Sequence, residues 1–535
     1  MRKAVCLILV IASVFLLAGC GPGTDDPNAN GSSEPKVGGT LVIGDAWSVV
    51  TMDPALYNDD GSWHVVNNVF DALVDHNSKR EVIPRLAESW DNPDNNTWIF
   101  HLRKDARWQD GNQVFAEGEG PEVTAEDVKY SIERILDPAT RSGRLTLVNS
   151  VDKVEVLDEY TVKITTKEPD AFLLDNLTGV YVVNQKVIET LGAEEFARNP
   201  IGSGPFKLEE MKPDDYVSLV RNDDYYIKPN LDKIIIKPIP DQNAMLIALE
   251  SGDVDAVAQI PQKDVERIES VSNLSVMKQS TAAYRYTAFN CENEPTSDPK
   301  FREAISMAID MDGAVNAIFP PGMAERAYGP VCPNILGYDP SLEKYWEYNP
   351  EKAKQLLAEL GWKDSDGDGI LDKDGEELNL KILGPQDANR SKLSVIIATS
   401  LKDLGIKTDV QNLEWGTLLT EVDKGNFDMF ILGGYSGANG MLFMFHSRNK
   451  GPNGNNALYE NEQVDELLDR GIALVDPEER EPVWKQAQEI IVQDKPHMPA
   501  YHEYFFFAYN KKVHDYSGRF QFVTTENNVW LGESK

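Results

Sequence analysis

An α/β fold is predicted for this 535-residue chain by three stretches of its sequence. Residues 378–432 alternate strand and helix patterns, in the order "LNLKIL", "RSKLSVIIATSLKDLG", "IKTDVQNL", "WGTLLTEVDKG" and "FDMFIL". Strands separated by helices imply βαβ units on a parallel sheet. Residues 349–362 predict a helix, because Asn349 can cap it, Pro350 suits its first turn and Gly361 its exit. Residues 151–166 alternate apolar and polar side chains around "LDE", which predicts a hairpin.

Further elements are predicted along the rest of the chain, and its length suggests more than one domain. A helix at 123–136 carries a capping box formed by Thr124 and Asp127. Asp241 is expected to cap the helix "QNAMLIALE", and Gly252 to end it. The other predictions are strands at 40–44, 97–103 and 498–510, helices after Gly451, and an irregular segment at 75–90.

The N-terminus predicts an export signal. Arg2 and Lys3 precede an apolar run that ends in "LAGC", where small residues stand before a cleavage site. The run is short for a spanning helix, which needs about 20 residues. Cys20 resembles the lipidated cysteine of a bacterial lipobox, so residues 1–20 are expected to form a lipoprotein signal peptide; the alternative is an ordinary secretory signal. Residues 21–37 are rich in Gly, Pro, Ser and Asn, which predicts a flexible tether.

Charge excludes several partners. Without Arg2 and Lys3, 50 basic residues face 87 acidic ones, a net charge near −37. Such a chain repels nucleic acid and anionic lipid headgroups.

Cys291 and Cys332 are the two cysteines outside the signal, and either a disulfide or two buried free thiols is compatible with the sequence.

Enzyme signatures are missing from the sequence, so no enzymatic activity is expected. There is no G-x-x-x-x-G-K-S/T, no H-E-x-x-H and no C-x-x-C, and "GYSGA" has Ala438 where a nucleophile elbow needs glycine. No cofactor is expected to be required.

One loop follows the spacing of a calcium site. "DSDGDGILDKDG" places carboxylates at its first, third, fifth and ninth positions and a backbone carbonyl at its seventh, and Gly375 stands where a bidentate Glu is expected. The expected ligands are Asp364, Asp366, Asp368, the carbonyl of Ile370, and Asp372. A structural Ca²⁺ and a solvated acidic hairpin are both compatible with this pattern.

The segment "GGYSGANG" follows the strand "FDMFIL", where ligands bind in open α/β sheets. Glycine would let backbone approach a ligand closely, although a tight surface turn is the alternative.

Aromatic residues in or beside predicted loops could line a cleft or fill a core; these are Trp47, Tyr57, Trp63, Trp108, Trp415, Tyr435 and Tyr501.

Thirteen ordered stretches carry a family resemblance: "GGTLVIG" with "TMDPA", "VFDALV", "IPRLAESW", "TWIFHLRKDARWQDG", "VTAEDVKYSIERIL", "IGSGPFKL", "RNDDYY", "ALESGDVDAV", "FREAISMAID", "NPEKAKQLLAELGW", "LEWGTLL" and "VDELLDRG". From about residue 38 to 500, the chain resembles the family 5 extracellular solute-binding lipoproteins of ABC importers, typified by dipeptide- and oligopeptide-binding proteins.

The resemblance implies a two-lobed periplasmic-binding-protein-like fold with an extra α+β subdomain and a two-strand hinge. Lobe one is expected at 38–76, 201–288 and 499–535, the inserted subdomain at 77–200, and lobe two at 289–498. The lobes would close on a peptide and dock on an ABC permease with its ATPase, outside the cell membrane.

The expected ligand residues are Tyr57, Asn58, Asp59, Trp108, Arg390, Trp415, Tyr435, Ser436, Asn439 and Tyr501. Arg390 is included as the basic residue nearest to Gly384, where the arginine that dipeptide-binding relatives use for the ligand carboxylate has no clean match. Peptide-binding relatives place an aspartate for the peptide's α-ammonium where this chain has Ala438. Either the solute lacks a free α-amine, or Asp59 or Asp60 supplies the charge. A non-peptide solute such as an oligosaccharide, or a sensing role without transport, stays open.

Overall fold

One mixed sheet of 11 strands runs through the protein and joins its two halves. The structure is a computed structural model that describes residues 35–77, 81–452, 454–516 and 527–533. The predicted signal peptide, Cys20 and the tether up to residue 34 lie outside the described residues. Residues from Lys36 onward are grouped by their contacts into one unit.

The strands in the described residues are β1 (Thr40–Asp45), β2 (Val74–His76), β3 (Val82–Pro84), β4 (Ala87–Asp94), β5 (Thr97–Leu102), β6 (Val151–Asp158), β7 (Thr161–Thr166), β8 (Phe206–Lys212), β9 (Tyr216–Arg221), β10 (Lys233–Pro238), β11 (Ala256–Val257), β12 (Leu274–Phe289), β13 (Ala324–Arg326), β14 (Asp372–Lys373), β15 (Glu376–Glu377), β16 (Asn379–Pro385), β17 (Lys407–Leu413), β18 (Met429–Tyr435), β19 (His497–Asn510), β20 (Val513–His514) and β21 (Trp530–Leu531).

The α-helices are α1 (Asp60–Val69), α2 (Ala125–Leu136), α3 (Leu173–Asn176), α4 (Gln185–Leu191), α5 (Ala193–Phe196), α6 (Gln242–Ser251), α7 (Val265–Glu269), α8 (Pro299–Met307), α9 (Met311–Ile318), α10 (Pro350–Glu359), α11 (Ala388–Asp403), α12 (Trp415–Asp423), α13 (Ala438–Phe445), α14 (Glu462–Ala473) and α15 (Pro477–Asp494). Short 3₁₀ helices occupy Leu145–Leu147, Leu177–Gly179, Gln262–Asp264, Pro340–Tyr345 and Ser447–Asn449. Among the described residues, no helix is both long and apolar enough to span a bilayer.

The large sheet has the order β17, β16, β18, β12, β19, β11, β1, β10, β9, β8, and β13 also pairs with β19. β12 and β19 belong to both halves. Near one end, β19 pairs with β11 of lobe one, and at the other end β12 pairs with β18 of lobe two. The ladder between β12 and β19 is interrupted between the pairs Ser280–Tyr504 and Tyr284–His502. Two antiparallel strands with a break in register therefore form the hinge between the lobes.

A second, four-stranded sheet (β4, β5, β7, β6) lies in the segment inserted after β2 and packs with α2. This segment has no core of its own. Phe100, Ile132 and Ile164 belong to the same hydrophobic cluster as Leu41 and Val66 of lobe one. Lobe two is built around two other clusters, one containing α8–α11 residues and one containing α13–α15 residues.

Most elements predicted from the sequence are confirmed. β16, β17 and β18 are parallel and separated by α11 and α12. Asn349 caps α10 by accepting a hydrogen bond from the Lys352 amide at 3.0 Å, and Asp241 caps α6 through the Ala244 amide at 2.7 Å. The prediction of an irregular segment at 75–90 is wrong, because β3 and the first half of β4 lie there. β4 is mostly exposed and pairs with β5 alone, so it has little hydrophobic pattern to detect.

The disulfide interpretation is also wrong: Cys291 and Cys332 are free thiols. The Cys332 sulfur contacts the Ala283 carbonyl at 3.6 Å, and the Cys291 sulfur contacts the Phe289 carbonyl at 3.8 Å. These carbonyls lie six residues apart on β12, about 20 Å at the usual rise per strand residue. A disulfide requires Cα atoms within about 7 Å, so the two thiols are too far apart to pair.

A buried ion cluster joins lobe one to the start of the insert. Arg85 is 5% exposed and donates from Nε to Asp71 at 2.6 Å and from Nη1 to Asp75 at 3.2 Å. Its Nη2 donates to the Phe70 carbonyl at 2.9 Å, and the Tyr225 hydroxyl donates to Asp71 at 2.9 Å. Every group in the cluster is paired, which is the condition under which buried charge is tolerated.

Arg85→Ala should destabilise the protein by about 3–5 kcal/mol, because it leaves Asp71 buried without a cation. Urea unfolding followed by circular dichroism measures the loss. Arg198→Ala is the matched control: its pair with Glu194 is exposed, and such pairs contribute about 0.5 kcal/mol or less. An Arg85→Ala midpoint equal to that of Arg198→Ala would contradict the role of this cluster.

Candidate functional site: a cleft between the lobes

Two adjoining pockets lie where the lobes and the insert meet. The first, called the acidic pocket, has a volume of about 460 Å³. Its walls include Tyr57, Asn58, Asp59, Asp60 and Trp63 of lobe one, Arg144 and Asp175 of the insert, and Gln279, Ser280, Pro333, Asn334 and Ile335 of the hinge and lobe two. Asn334 and Ile335 also line the second pocket, so the two are continuous.

The lobe-one wall is fixed by local hydrogen bonds. Asp53 accepts from the Ala55 amide at 3.0 Å and pairs with Arg134 of the insert, whose Nη1 lies 2.8 Å from its Oδ1. Asp59 caps α1 by accepting from the Ser62 amide at 2.8 Å. The turn between these two aspartates therefore holds Tyr57 at the pocket wall.

The acidic pocket has an uneven charge distribution. Burial, with Asp45 and Asp59 nearby, raises the pKa of Asp60 to about 6. Asp59 Oδ2 and the Tyr57 hydroxyl are buried without a hydrogen-bond partner. The Arg144 guanidinium lies over the Tyr57 ring, 4.3 Å from its centroid. The pocket thus contains a carboxylate oxygen and a hydroxyl oxygen that lack a hydrogen-bond partner among the described residues.

The second pocket, called the aromatic pocket, has a volume of about 1020 Å³. Trp90 and Trp98 enter from the sheet of the insert, and Phe172 from the loop before α3. Lobe two contributes Trp484 of α15 and the segment from Tyr435 to Asn439. A pocket of this size lined by aromatic rings suits a bulky apolar group with a few polar anchors.

The insert touches lobe two directly at this pocket, through residues 171 and 172. The Ala171 amide donates to the Ile472 carbonyl at 3.0 Å, and Arg480 Nη1 donates to the Ala171 carbonyl at 2.8 Å. The Phe172 and Trp484 rings are stacked, with centroids 6.0 Å apart and planes 8° apart. This set of contacts, called the insert contact, is a connection between the halves separate from the hinge strands.

The glycine-rich segment after β18 is a tight strand-to-helix connection. β18 extends to Tyr435 and α13 begins at Ala438. A Cβ on Gly440 would lie 1.7 Å from the Tyr435 carbonyl oxygen, so this glycine lets the first turn of α13 pack against the strand end. Gly437 has φ +95°, which favours glycine. The turn leaves the Tyr435 side chain 73% exposed at the wall of the aromatic pocket.

The predicted ligand residues divide into two groups. Tyr57, Asn58 and Asp59 line the acidic pocket, and Tyr435, Ser436 and Asn439 line the aromatic pocket. The Ser436 hydroxyl is already used, because it accepts a hydrogen bond from the Cys332 amide.

Four predicted residues lie outside both pockets. Trp108 is buried and donates to Asp127 at 3.3 Å, and Tyr501 is buried edge-on against Phe319 at 4.7 Å. Arg390 pairs with Asp387, and its guanidinium lies 5.6 Å from the ring centroid of Trp415 on lobe two. For Trp108 and Tyr501 the core interpretation of the aromatic residues is therefore correct.

Several residues that line the cleft were missed from the sequence, namely His76, Arg144, Phe172, Asn334, Ile335 and Trp484. No local motif marks them. They come from the insert, from the loop after β13 and from the middle of α15, and the tertiary fold brings them together.

The predicted calcium loop is partly assembled. The carboxylates of Asp364, Asp366 and Asp368 lie within 4.8 Å of one another and are exposed. Asp372 does not join them: its carboxylate accepts from the Ser365 amide at 2.8 Å and the Ser365 hydroxyl at 2.7 Å. Asp372 is thus not grouped with the other three carboxylates, and its role as a ligand stays a prediction.

Gly440→Ala should destabilise the protein by about 1–3 kcal/mol, since the added methyl group must push α13 away from β18. Gly416→Ala is the control. Gly416 also lies in the first turn of a lobe-two helix, and its nearest neighbour would be the flexible Glu414 side chain at 3.3 Å. This change should be neutral or stabilising by up to about 1 kcal/mol. Equal unfolding midpoints for the two variants would contradict the close packing.

Comparison with known proteins agrees with this architecture. The model of the family "Bacterial extracellular solute-binding proteins, family 5 Middle" matches residues 81–456. The oligopeptide-binding protein AppA of Bacillus subtilis is 30% identical over 510 residues, 92% of each chain. The probable D,D-dipeptide-binding periplasmic protein DdpA of Escherichia coli is 30% identical over 492 residues, 88% of this chain and 90% of its own. Heme-binding protein A of Haemophilus influenzae is 26% identical over 543 residues, 95% and 96% of the two chains.

A solved structure extends the similarity to three dimensions. That of AppA from Bacillus subtilis in complex with a nonapeptide is 28% identical, covers 94% of this chain and all of its own, and has a TM-score of 0.68. With the family model matching well over half of the sequence, the chain belongs to family 5 of the bacterial extracellular solute-binding proteins.

Proposed function

We propose that this solute-binding protein captures a peptide in the cleft between its lobes and delivers it to an ABC importer. The observation that carries the proposal is that the walls of each pocket come from both sides of the hinge. A solute that contacts both walls binds the closed form more tightly than the open one, so it shifts the population toward closure. The closed form would be the one that docks on the permease and its ATPase.

A peptide suits the cleft better than an oligosaccharide does. The acidic pocket offers ionic partners, and the aromatic pocket offers room for apolar side chains. Two of the relatives, AppA and DdpA, are named for peptide ligands, although heme-binding protein A carries a different ligand in its name. No catalytic step is proposed, and the solute would leave the protein chemically unchanged.

The domain division is proposed as the resemblance implies it: lobe one at 38–76, 201–288 and 499–535, the insert at 77–200 and lobe two at 289–498. The four-stranded sheet supports the insert, since its strands run from Ala87 to Thr166. A structural Ca²⁺ on Asp364, Asp366 and Asp368 stays a prediction.

Native mass spectrometry of the protein purified from bacteria should reveal a copurified peptide, and titration of that peptide should quench tryptophan fluorescence.

Tyr435→Ala should weaken binding up to about tenfold through lost ring contacts, at about 0.5–1.5 kcal/mol, while stability is unchanged because the side chain is exposed. Tyr348→Ala, which removes an exposed ring outside both pockets, is the control. A chemically altered solute, or no peptide from either the cell or a synthetic pool, would reject the proposal.

We also propose that the protein is anchored at the outer face of the cell membrane through acylated Cys20. Several acyl chains would hold it stably, where one chain binds only marginally. Labelled palmitate should enter the wild-type protein, and Cys20→Ala should lose the label completely and release the protein from the membrane fraction. Cys291→Ala is the control and should keep the label. A Cys20→Ala protein that still carries label would refute the anchor.

A further inference from the structure

Two carboxylates of the acidic pocket have no cationic partner among the residues that the structure describes. Asp59 uses Oδ1 to cap α1, and its Oδ2 is buried with no hydrogen-bond partner. Asp60 follows it in the chain and forms neither an ion pair nor a side-chain hydrogen bond with any residue that the structure describes. The other acids of the pocket are engaged: Asp75 pairs with Arg85 at 3.2 Å and Asp175 with His76 at 2.7 Å.

The Tyr57 hydroxyl is a second and independent sign of a missing partner. Tyr57 is 2% exposed and lines the same pocket, and its hydroxyl oxygen makes no hydrogen bond of regular geometry with the described residues, although Arg144 lies beside it. Arg144 is engaged with the face of the Tyr57 ring and, among the described residues, forms no ion pair. A buried polar atom without a partner costs stability, which a bound group could recover.

The opposite wall of the pocket adds no charge. It consists of Gln279, Ser280, Pro333, Asn334 and Ile335. A cation would therefore be held by lobe one alone and covered by neutral groups when the lobes close. Ion pairs removed from water in this way are stronger than exposed pairs.

We propose that Asp59 and Asp60 together bind a protonated amine of the solute, with the Tyr57 hydroxyl as an additional acceptor. The amine is either the α-ammonium of a peptide or a basic side chain. The proposal rests on the proposed function for the peptide origin of this amine, but the cation site itself follows from the pocket.

Binding of a cation here depends on pH. Below pH 6 free Asp60 carries a proton, since burial and the nearby Asp45 and Asp59 raise its pKa to about 6. The proton must leave before a cation binds, so affinity should fall by up to about tenfold per pH unit as the pH drops from 6 toward 4. Other charged groups around the site are Asp45 paired with His64 at 3.0 Å, Arg144, and the two ion pairs named above.

The test uses the full chain and four probes in calorimetry: a tetrapeptide pool with free N-termini, the same pool N-acetylated, an N-acetylated pool with one lysine per peptide, and spermidine. Asp60→Asn and Asp59→Asn should each weaken binding of the amine-bearing probe about 30-fold or more and flatten its pH dependence. Asn at position 59 can still cap α1. Asp215→Asn, an exposed acid away from the pocket, matches the change in net charge and should have no effect.

Each outcome decides the proposal. Preference for the free pool identifies an α-ammonium, and preference for the lysine pool a basic side chain. Equal binding of free and acetylated pools, unchanged by both substitutions, overturns the cation site and leaves peptide binding intact. Spermidine binding that requires Asp60, without peptide binding, keeps the cation site and rejects the peptide function. Binding of none of the probes overturns both.

Discussion

The two strands shared by both lobes are the constraint on which the rest of the structure depends. β12 and β19 contribute to the sheet of lobe one with one end and to the sheet of lobe two with the other. Each half of the ladder is held by backbone hydrogen bonds, and each lobe has hydrophobic clusters of its own. The register of this ladder is interrupted between Ser280 and Tyr284, near the point where the sheet passes from one lobe to the other.

This arrangement explains why the pockets lie where they do. A cleft that opens and closes must have walls on separately moving bodies, and only residues near the junction can meet across it. Tyr57 and Asn334 illustrate the point: they are far apart in sequence and belong to different halves, yet they line one pocket. In a chain with a net charge of −35, an exposed carboxylate tells little about function because water and salt screen it. Asp59 and Asp60 differ from most other acids in that they line this cavity.

Most of the predicted helices and strands follow from local signals in the sequence, namely helix caps and hydrophobic periodicity. The helix at Pro350–Glu359 is encoded by its own cap and exit, and the βαβ run by hydrophobic periodicity within each element. β4 was missed because an exposed strand with one partner has no such periodicity. The prediction of an irregular segment at 75–90 is wrong for a further reason: Arg85 lies in a buried cluster whose partners are brought together by the tertiary fold.

The site was predicted less well than the fold. Among the predicted ligand residues, those next to a strand end or a helix start, such as Tyr57, Asp59 and Tyr435, line the two pockets. Trp108 and Tyr501 are buried in the core, and the sequence alone does not distinguish an aromatic ring that faces solvent from one that faces the core. Arg144 and Phe172 were missed because the insert folds back onto the cleft, and this return is encoded by long-range packing rather than by spacing.

The insert contact changes the mechanics of the molecule. If β12 and β19 were the only connection, one lobe could rotate about the hinge relative to the other. The hydrogen bonds of Ala171 to Ile472 and Arg480 connect the two halves at a second place. Rotation about the hinge would therefore require these hydrogen bonds to break. Stacked rings such as Phe172 and Trp484 can slide over each other, whereas the two hydrogen bonds must stretch or break. Separation of the halves would therefore require these contacts of the loop before α3 to break.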